Sequence, residues 1–184
     1  MPIETEKKYR LGRELAAELA ERIVAEGGEF LYEQQEENLL YRGGILDERN
    51  AVLRIRTTDT TAFLTYKENA GFDDGIKRRI EFETEIGDGA AAEEIIHRLG
   101  LRLSLVYEKR RRAWRFSECE VVLDELPFGS FMEIEGSPAD ILVAEKLLEI
   151  EDIPVESGTY PSLTMKHGVN VNGVLEARFE RQRS

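Results

Sequence analysis

Cysteine is almost missing from this 184-residue chain. Cys119 stands alone, so no intrachain disulfide and no thiolate metal cluster can form. Histidine occurs twice, at His97 and His167; His97 falls on an expected helix and His167 in a loop, and both read as structural or exposed. No Ser/His/Asp or Cys/His constellation is apparent. There is no run of about 18 apolar residues, so no membrane-spanning helix is expected. The opening Met1-Pro2-Ile3-Glu4 does not read as a signal peptide, so none is expected, and a cytoplasmic address is the expectation. Basic residues are outnumbered 25 to 37, for a net charge of −12. That balance argues against nucleic-acid backbone as the main ligand, since counterion release needs a basic surface. A local basic pocket is still compatible with it. Gly27-Gly28 lacks the lysine and hydroxyl that follow a phosphate-binding loop, and reads as a helix stop. No fixed-period repeat or low-complexity tract is present.

Apolar residues make up 41% and charged residues 34%, the composition of a soluble, globular, charge-rich protein. The length fits one domain, 1–184, with a core over about 3–165. Three helices are legible. The first runs from Gly12 to about Glu26, with Leu15, Leu19 and Ile23 on its buried side. Asp88 caps a second through 90–99 that buries Ile95, Ile96 and Leu99. Ser137-Pro138 starts a third, to roughly Leu148, burying Ile141, Leu142 and Leu147 or their neighbours. The rest alternates with period two as eight strands: 3–11, within 30–41, 51–58, 62–68, 77–86, 104–116, 121–126 and 130–136. Pro127-Phe128-Gly129 is a tight turn between the last two. From Gly168 the chain reads as poorly structured, and 174–184 as a polar, arginine-rich tail, either a helix or disordered. The Arg178–Arg183 cluster reads as solvated, with Trp114 assigned to packing.

Side chains two apart on a strand share a face. Glu4, Glu6, Lys8 and Arg10 therefore line one face of the first strand. Arg54 pairs with Arg56, and Lys67 joins Phe63 and Thr65. Arg79, Glu81, Glu83 and Glu85 share a side, as do Lys109 and Arg111, and Glu133 and Glu135; Asp124 lies between these last two pairs in sequence. A half-solvated sheet shows charged alternation too, but here like charges come in pairs, strand after strand. Such neighbours, about 7 Å apart, repel by roughly 2 kcal/mol at an effective dielectric near 20. Ligands that neutralise them make sense of the pattern. Arginine and lysine pairs suit phosphate oxygens, and carboxylate pairs suit Mg²⁺ or Mn²⁺. Together they point to a metal–polyphosphate complex inside a closed antiparallel barrel, with the apolar strand faces turned outward under the helices.

Glu4-Thr5-Glu6-Lys7-Lys8 matches an E-x-E-x-K signature. It is followed in order by Leu53-Arg54-Ile55-Arg56, Thr65-Tyr66-Lys67, Arg79-Ile80-Glu81-Phe82-Glu83, Lys109-Arg110-Arg111, Asp124 and Phe131-Met132-Glu133-Ile134-Glu135-Gly136. Through these motifs the chain resembles the CYTH superfamily, also called triphosphate tunnel metalloenzymes, from residue 3 to about 165. Thr159-Tyr160-Pro161 is similar to a tyrosine-containing motif of that family. The resemblance implies an α+β fold: an eight-stranded antiparallel barrel, open at both ends, with a polar interior and flanking helices. It implies a small-molecule triphosphate held by Lys8, Arg54, Arg56, Lys67, Arg79, Lys109 and Arg111. Mg²⁺ or Mn²⁺ would be held by Glu4, Glu6, Glu81, Glu83, Asp124, Glu133 and Glu135, and Lys8, Lys67 and Glu81 would take catalytic roles. The expected activity is hydrolysis of inorganic tripolyphosphate or an organic triphosphate such as thiamine triphosphate. A class IV-type adenylyl cyclase and a non-catalytic nucleotide or polyphosphate binder are the alternatives. Many members carry a tyrosine-aspartate step after the second strand. Here Asn38-Leu39-Leu40-Tyr41 stands there, with Tyr41 the nearest tyrosine. The class IV cyclases have a His-Phe pair shortly before E-x-E-x-K, where this sequence shows only three residues.

Overall fold

The structure is a computed structural model that describes residues 3–73 and 75–180. Alternating sequence produces eight long strands: β1 (Ile3–Leu11), β2 (Glu29–Arg42), β3 (Val52–Thr57), β4 (Ala62–Asp73), β5 (Ile76–Ile86), β6 (Arg102–Phe116), β7 (Cys119–Leu126) and β8 (Gly129–Glu135). They hydrogen-bond in the order β2-β3-β4-β5-β1-β8-β7-β6, and a further β2–β6 pairing closes the ring. Every pairing in the ring is antiparallel. Closure leaves no edge within these eight strands. Gly129, at φ +150, makes the tight β7–β8 turn, and Gly136 lies where any Cβ would stand 2.7 Å from the Cys119 sulfur.

The helices cover the outward apolar faces. Helix α1 (Arg13–Ala25) buries Leu19 and Ile23, and α4 (Pro138–Leu147) buries Ile141 and Ala144. Both pack on the outer faces of β1, β6, β7 and β8, against Tyr9, Trp114, Phe116, Met132 and Ile134. A Cβ on Gly28 would meet Ile23 Cγ2 at 2.5 Å, which explains the glycine that ends the first helical segment. Helix α3 (Gly89–Arg98), capped by the Asp88 carboxylate accepting from Ala91 N–H, covers Tyr41 and Ile55 with Ile96. Two expected core faces are narrower than the sequence suggests. Ile95 and Leu99 are 60% and 72% exposed, and Leu142 and Leu147 are exposed too; Leu148 is buried instead. Each of these helices lies on a curved barrel wall, which touches a narrow stripe of a helix and leaves its flanks in solvent.

Three further elements lie outside the sequence expectation. They are α2 (Ile45–Glu48), α5 (Tyr160–His167) and a hairpin of β9 (Val169–Val171) and β10 (Val174–Ala177). Thr159 caps α5, and Pro161 occupies its first turn. The segment from 174 is therefore a strand where a helix or disorder was expected: β10 pairs in parallel with β6 at Leu105–Tyr107, beyond the reach of β7. Arg178 is likewise no free tail residue, since its guanidinium donates to Glu37, Glu108 and Glu176. The remaining tail, 181–184, lies outside the described residues. At one end of the barrel, inward-facing Leu40, Leu105, Tyr107, Leu126 and Phe131 pack with Tyr160 and Leu163 of α5. The interior is polar elsewhere and apolar there. No helix among the described residues is long and apolar enough to cross a membrane.

Candidate functional site

Register carries the charged residues into one space. Glu6 lies opposite Lys77 and Glu4 opposite Arg79 on the β1–β5 pair. Lys67 faces Glu81, and Thr65 faces Glu83. Lys8 faces Glu133, Glu36 faces Lys109, and Arg111 faces Asp124. Paired residues point to the same side of a sheet, and here that side is the interior. The result is a cavity of about 1070 Å³ lined by every predicted site residue except Asp124. Arg10 and Glu85, placed on the same faces by period, do not line it. Arg10 instead reaches the Phe128 carbonyl at 3.1 Å.

Each cation in the cavity has a carboxylate. Lys8 Nζ is 2.9 Å from Glu133, and Arg111 lies 2.8 Å from the same carboxylate. Arg54 and Arg56 share Glu83, at 3.3 and 2.6 Å. Arg79 meets Glu6 at 3.2 Å, with Lys77 at 3.9 Å. Lys67 bridges Glu4 at 3.0 Å and Glu81 at 2.5 Å. Lys8 and Lys109 are only 2% exposed, so these charges have left bulk water, and a buried charge needs a partner. Burial alone would push the Glu133 carboxyl up, but Lys8, Arg111 and Lys109 outweigh it and hold it well below the usual range. Burial followed by the Arg111 charge pushes the Lys109 ammonium down. Arg54 Nε and Arg56 Nε are buried with no acceptor among the described residues. Those two N–H groups are unused donors of the kind a phosphate oxygen satisfies.

The carboxylates divide into two sets. Glu6, Glu83, Asp124 and Glu133 are each held by arginine or lysine. Glu4 and Glu81 share Lys67 and crowd each other, and Glu135 adds to the crowding. Burial, with Glu4 and Glu120 nearby, pushes the Glu135 carboxyl up to about 8. Burial and the hydrogen bond to Glu81 raise Glu4. Among the described residues no three His, Cys, Asp or Glu donors converge on one point, and Lys67 stands between Glu4 and Glu81. Hard oxygen donors under mutual repulsion are what Mg²⁺ or Mn²⁺ relieves, so this donor set fits the implied metal.

Asp124 departs from its expected place. It is 1% exposed and accepts from Arg111 Nε and Nη2, at 2.7 and 2.6 Å, and from the Tyr160 hydroxyl at 2.7 Å. Those donors, which themselves line the cavity, take its lone pairs. Tyr41 is displaced too: its side chain points outward, its hydroxyl donates to Glu93 at 2.5 Å, and His97 packs on its ring. Asn38 is the inward residue of that stretch, buried beside Glu36. His167 stacks on Phe128 and Trp114 packs against Phe30, as packing residues do.

Sequence reasoning missed Lys77 and Glu36. Lys77 is on the same face as Arg79 by the rule already applied, one step earlier along β5. Burial and the neighbouring Lys8 charge lower its ammonium to about 8. Glu36 is fully buried and lies 3.3 Å from Lys109 and 3.7 Å from Arg56. Burial pushes its carboxyl up, but Lys109, Arg111 and Arg56 prevail and hold it well below the carboxylate range. Its signal, Gln34-Glu36-Asn38 at period two, was weakened by Glu33 and Glu37 on the opposite face.

The sequence profile of the CYTH domain matches residues 2–158. No curated protein sequence matches the chain. Among solved structures, a conserved hypothetical protein of Pyrococcus furiosus superposes with a TM-score of 0.75 at 25% identity, over 87% of this chain and 99% of that one. A protein of Pyrococcus horikoshii gives 0.74 at 27% identity, over 89% and 98%. A Hippeastrum protein, described as an adenylyl cyclase candidate with a dominant triphosphatase activity, shares the fold at 19% identity, with a TM-score of 0.69 over 94% and 99%. The profile covers the barrel strands that carry the inward charges, and the chain belongs to the CYTH family.

Proposed function

We propose that this chain is a metal-dependent hydrolase of a small triphosphate, inorganic tripolyphosphate or an organic triphosphate such as thiamine triphosphate, in a cytoplasmic setting. The observation that carries the reading is the cavity inside the barrel. It holds Lys8, Lys67, Lys77, Arg54, Arg56, Arg79, Lys109 and Arg111, with the Arg54 and Arg56 Nε donors unused. These eight cations in a closed barrel match an extended chain of phosphates far better than any singly charged ligand.

Phosphoryl transfer needs positioning and charge stabilisation more than covalent chemistry by the protein. Arg54, Arg56, Arg79, Lys109 and Arg111 hold and orient the phosphates by charge-assisted hydrogen bonds. Lys8 and Lys67 stabilise the charge that develops as water attacks phosphorus and the bond to the leaving phosphate oxygen breaks. Glu4, Glu81 and Glu135 would hold Mg²⁺ or Mn²⁺. When bound, the ion neutralises phosphate charge and lowers the pKa of a water. Lys67, ion-paired to Glu4 and Glu81, would be free to turn toward phosphate if those carboxylates held the ion.

Phosphate release from tripolyphosphate, thiamine triphosphate and ATP, each with Mg²⁺ or Mn²⁺ and with products resolved, tests the reading. Orthophosphate release is expected from at least one substrate. Cyclic AMP with pyrophosphate would replace the hydrolase with the cyclase. Tight binding without any product would replace it with a non-catalytic sensor.

A further inference from the structure

Tyr160 lies at the start of α5, outside every strand pattern and beyond the residues the family profile covers. It is 6% exposed, and its contacts converge on the triphosphate machinery. The Lys8 ammonium sits 3.7 Å from its ring centroid, and Lys109 lies 5.5 Å away. Its hydroxyl donates to Asp124 Oδ2 at 2.7 Å, and Asp124 accepts both bonds from the Arg111 fork. We infer that Tyr160 is a positioning residue of the cavity: its ring seats Lys8, and its hydroxyl fixes Asp124, through which Arg111 is aimed.

The chemistry of the two contacts explains why a tyrosine serves here. Lys8 has two other partners, Glu133 at 2.9 Å and the Gly158 carbonyl at 3.4 Å. A carboxylate neutralises a lysine and competes with phosphate for it. An aromatic face attracts the cation without cancelling its charge, so Lys8 is held in place and stays available to an anion. Asp124 presents the opposite case. It is 1% exposed, so only protein donors can satisfy it; Oδ2 already accepts from Arg111 Nη2 at 2.6 Å and Lys109 at 3.5 Å, and one more donor there lessens its pull on Lys109. The Tyr160 hydroxyl supplies that donor. Phe131, edge-on to the ring at 5.5 Å, holds the ring at its angle.

The inference rests on the triphosphate reading, and two variants separate its two parts. Tyr160→Phe keeps the ring and loses only the bond to Asp124; Tyr160→Leu loses both contacts. Leu163→Ala loosens the same apolar cluster without touching a charged group and serves as the packing control. Tyr160→Phe is expected to raise the KM for tripolyphosphate about tenfold, and Tyr160→Leu about a hundredfold. Leu163→Ala should lower the melting temperature and leave KM within about twofold of the parent. The ε-methylene protons of Lys8 should show an upfield ring-current shift by NMR in the parent and in Tyr160→Phe, and lose it in Tyr160→Leu. A parent-like KM in Tyr160→Phe would overturn the hydroxyl's role. An unshifted Lys8 resonance in the parent, or an equal KM rise in Leu163→Ala, would overturn the inference as a whole. The resonance is read without substrate, so it decides the placement of Lys8 even where the parent turns over no triphosphate, a result that would count against the hydrolase reading alone.

Discussion

Burial takes the Lys77 ammonium out of water and Lys8 sets a like charge beside it, so about half of its charge is gone near pH 8. Because the folded value lies below the ordinary lysine value of about 10.4, the charge is present below pH 8 and lost above it. Folding stability from this group rises with pH between those two values, where the unfolded chain binds more protons. If Lys77 contacts phosphate, KM for tripolyphosphate should climb about tenfold between pH 7 and 9. Lys77→Arg, charged throughout, should flatten that climb; steady-state kinetics at fixed ionic strength decides it. The acidic trio gives a second residue-scale prediction. Millimolar Mg²⁺ should raise the melting temperature of the parent protein, and Glu81→Gln or Glu135→Gln should abolish most of that rise, as read by differential scanning fluorimetry. Most of the cavity was legible because strand period is a strict geometric rule, applied to like-signed pairs such as Arg54/Arg56. Asp124 obeys that rule and faces Arg111, yet protein donors take its oxygens and it does not line the cavity. One of those donors, Tyr160, arrives from a helix remote in sequence. No periodicity encodes such a meeting.

Strands were legible as elements because each has one charged and one apolar face; helix faces were read less well. On a flat partner Ile95 and Leu99 would both be buried with Ile96, but the barrel wall curves away and leaves them in solvent. Truncation measures that difference. Ile96→Ala should cost about 2–4 kcal/mol, whereas Ile95→Ala should stay within about 0.5 kcal/mol of the parent, both by urea denaturation. The short α2, α5 and the β9–β10 hairpin escaped notice for a different reason. Val169–Val171 and Val174–Ala177 are too brief to show alternation, and β10 becomes a strand only because β6 outruns β7 and offers a free stretch at Leu105–Tyr107.

At the scale of the molecule, the C-terminal segment braces the seam that closes the barrel. Glu37 and Glu108 face each other across β2 and β6, an unfavourable pair of like charges, and Arg178 donates to both. Arg178→Ala should therefore destabilise the protein by about 1 kcal/mol, with the difference shrinking in 1 M salt; paired denaturation curves at low and high salt would show it. The same seam joins stretches far apart in the chain, and β1 is flanked by β5 on one side and β8 on the other. During synthesis the first strand thus waits for residues 129–135 before its second side is covered. Topology of this kind folds on the slow, millisecond-to-second scale. A nascent chain halted before β8 would carry bare strand margins able to capture other chains, so the interval between making β1 and making β8 is when this protein most needs a chaperone.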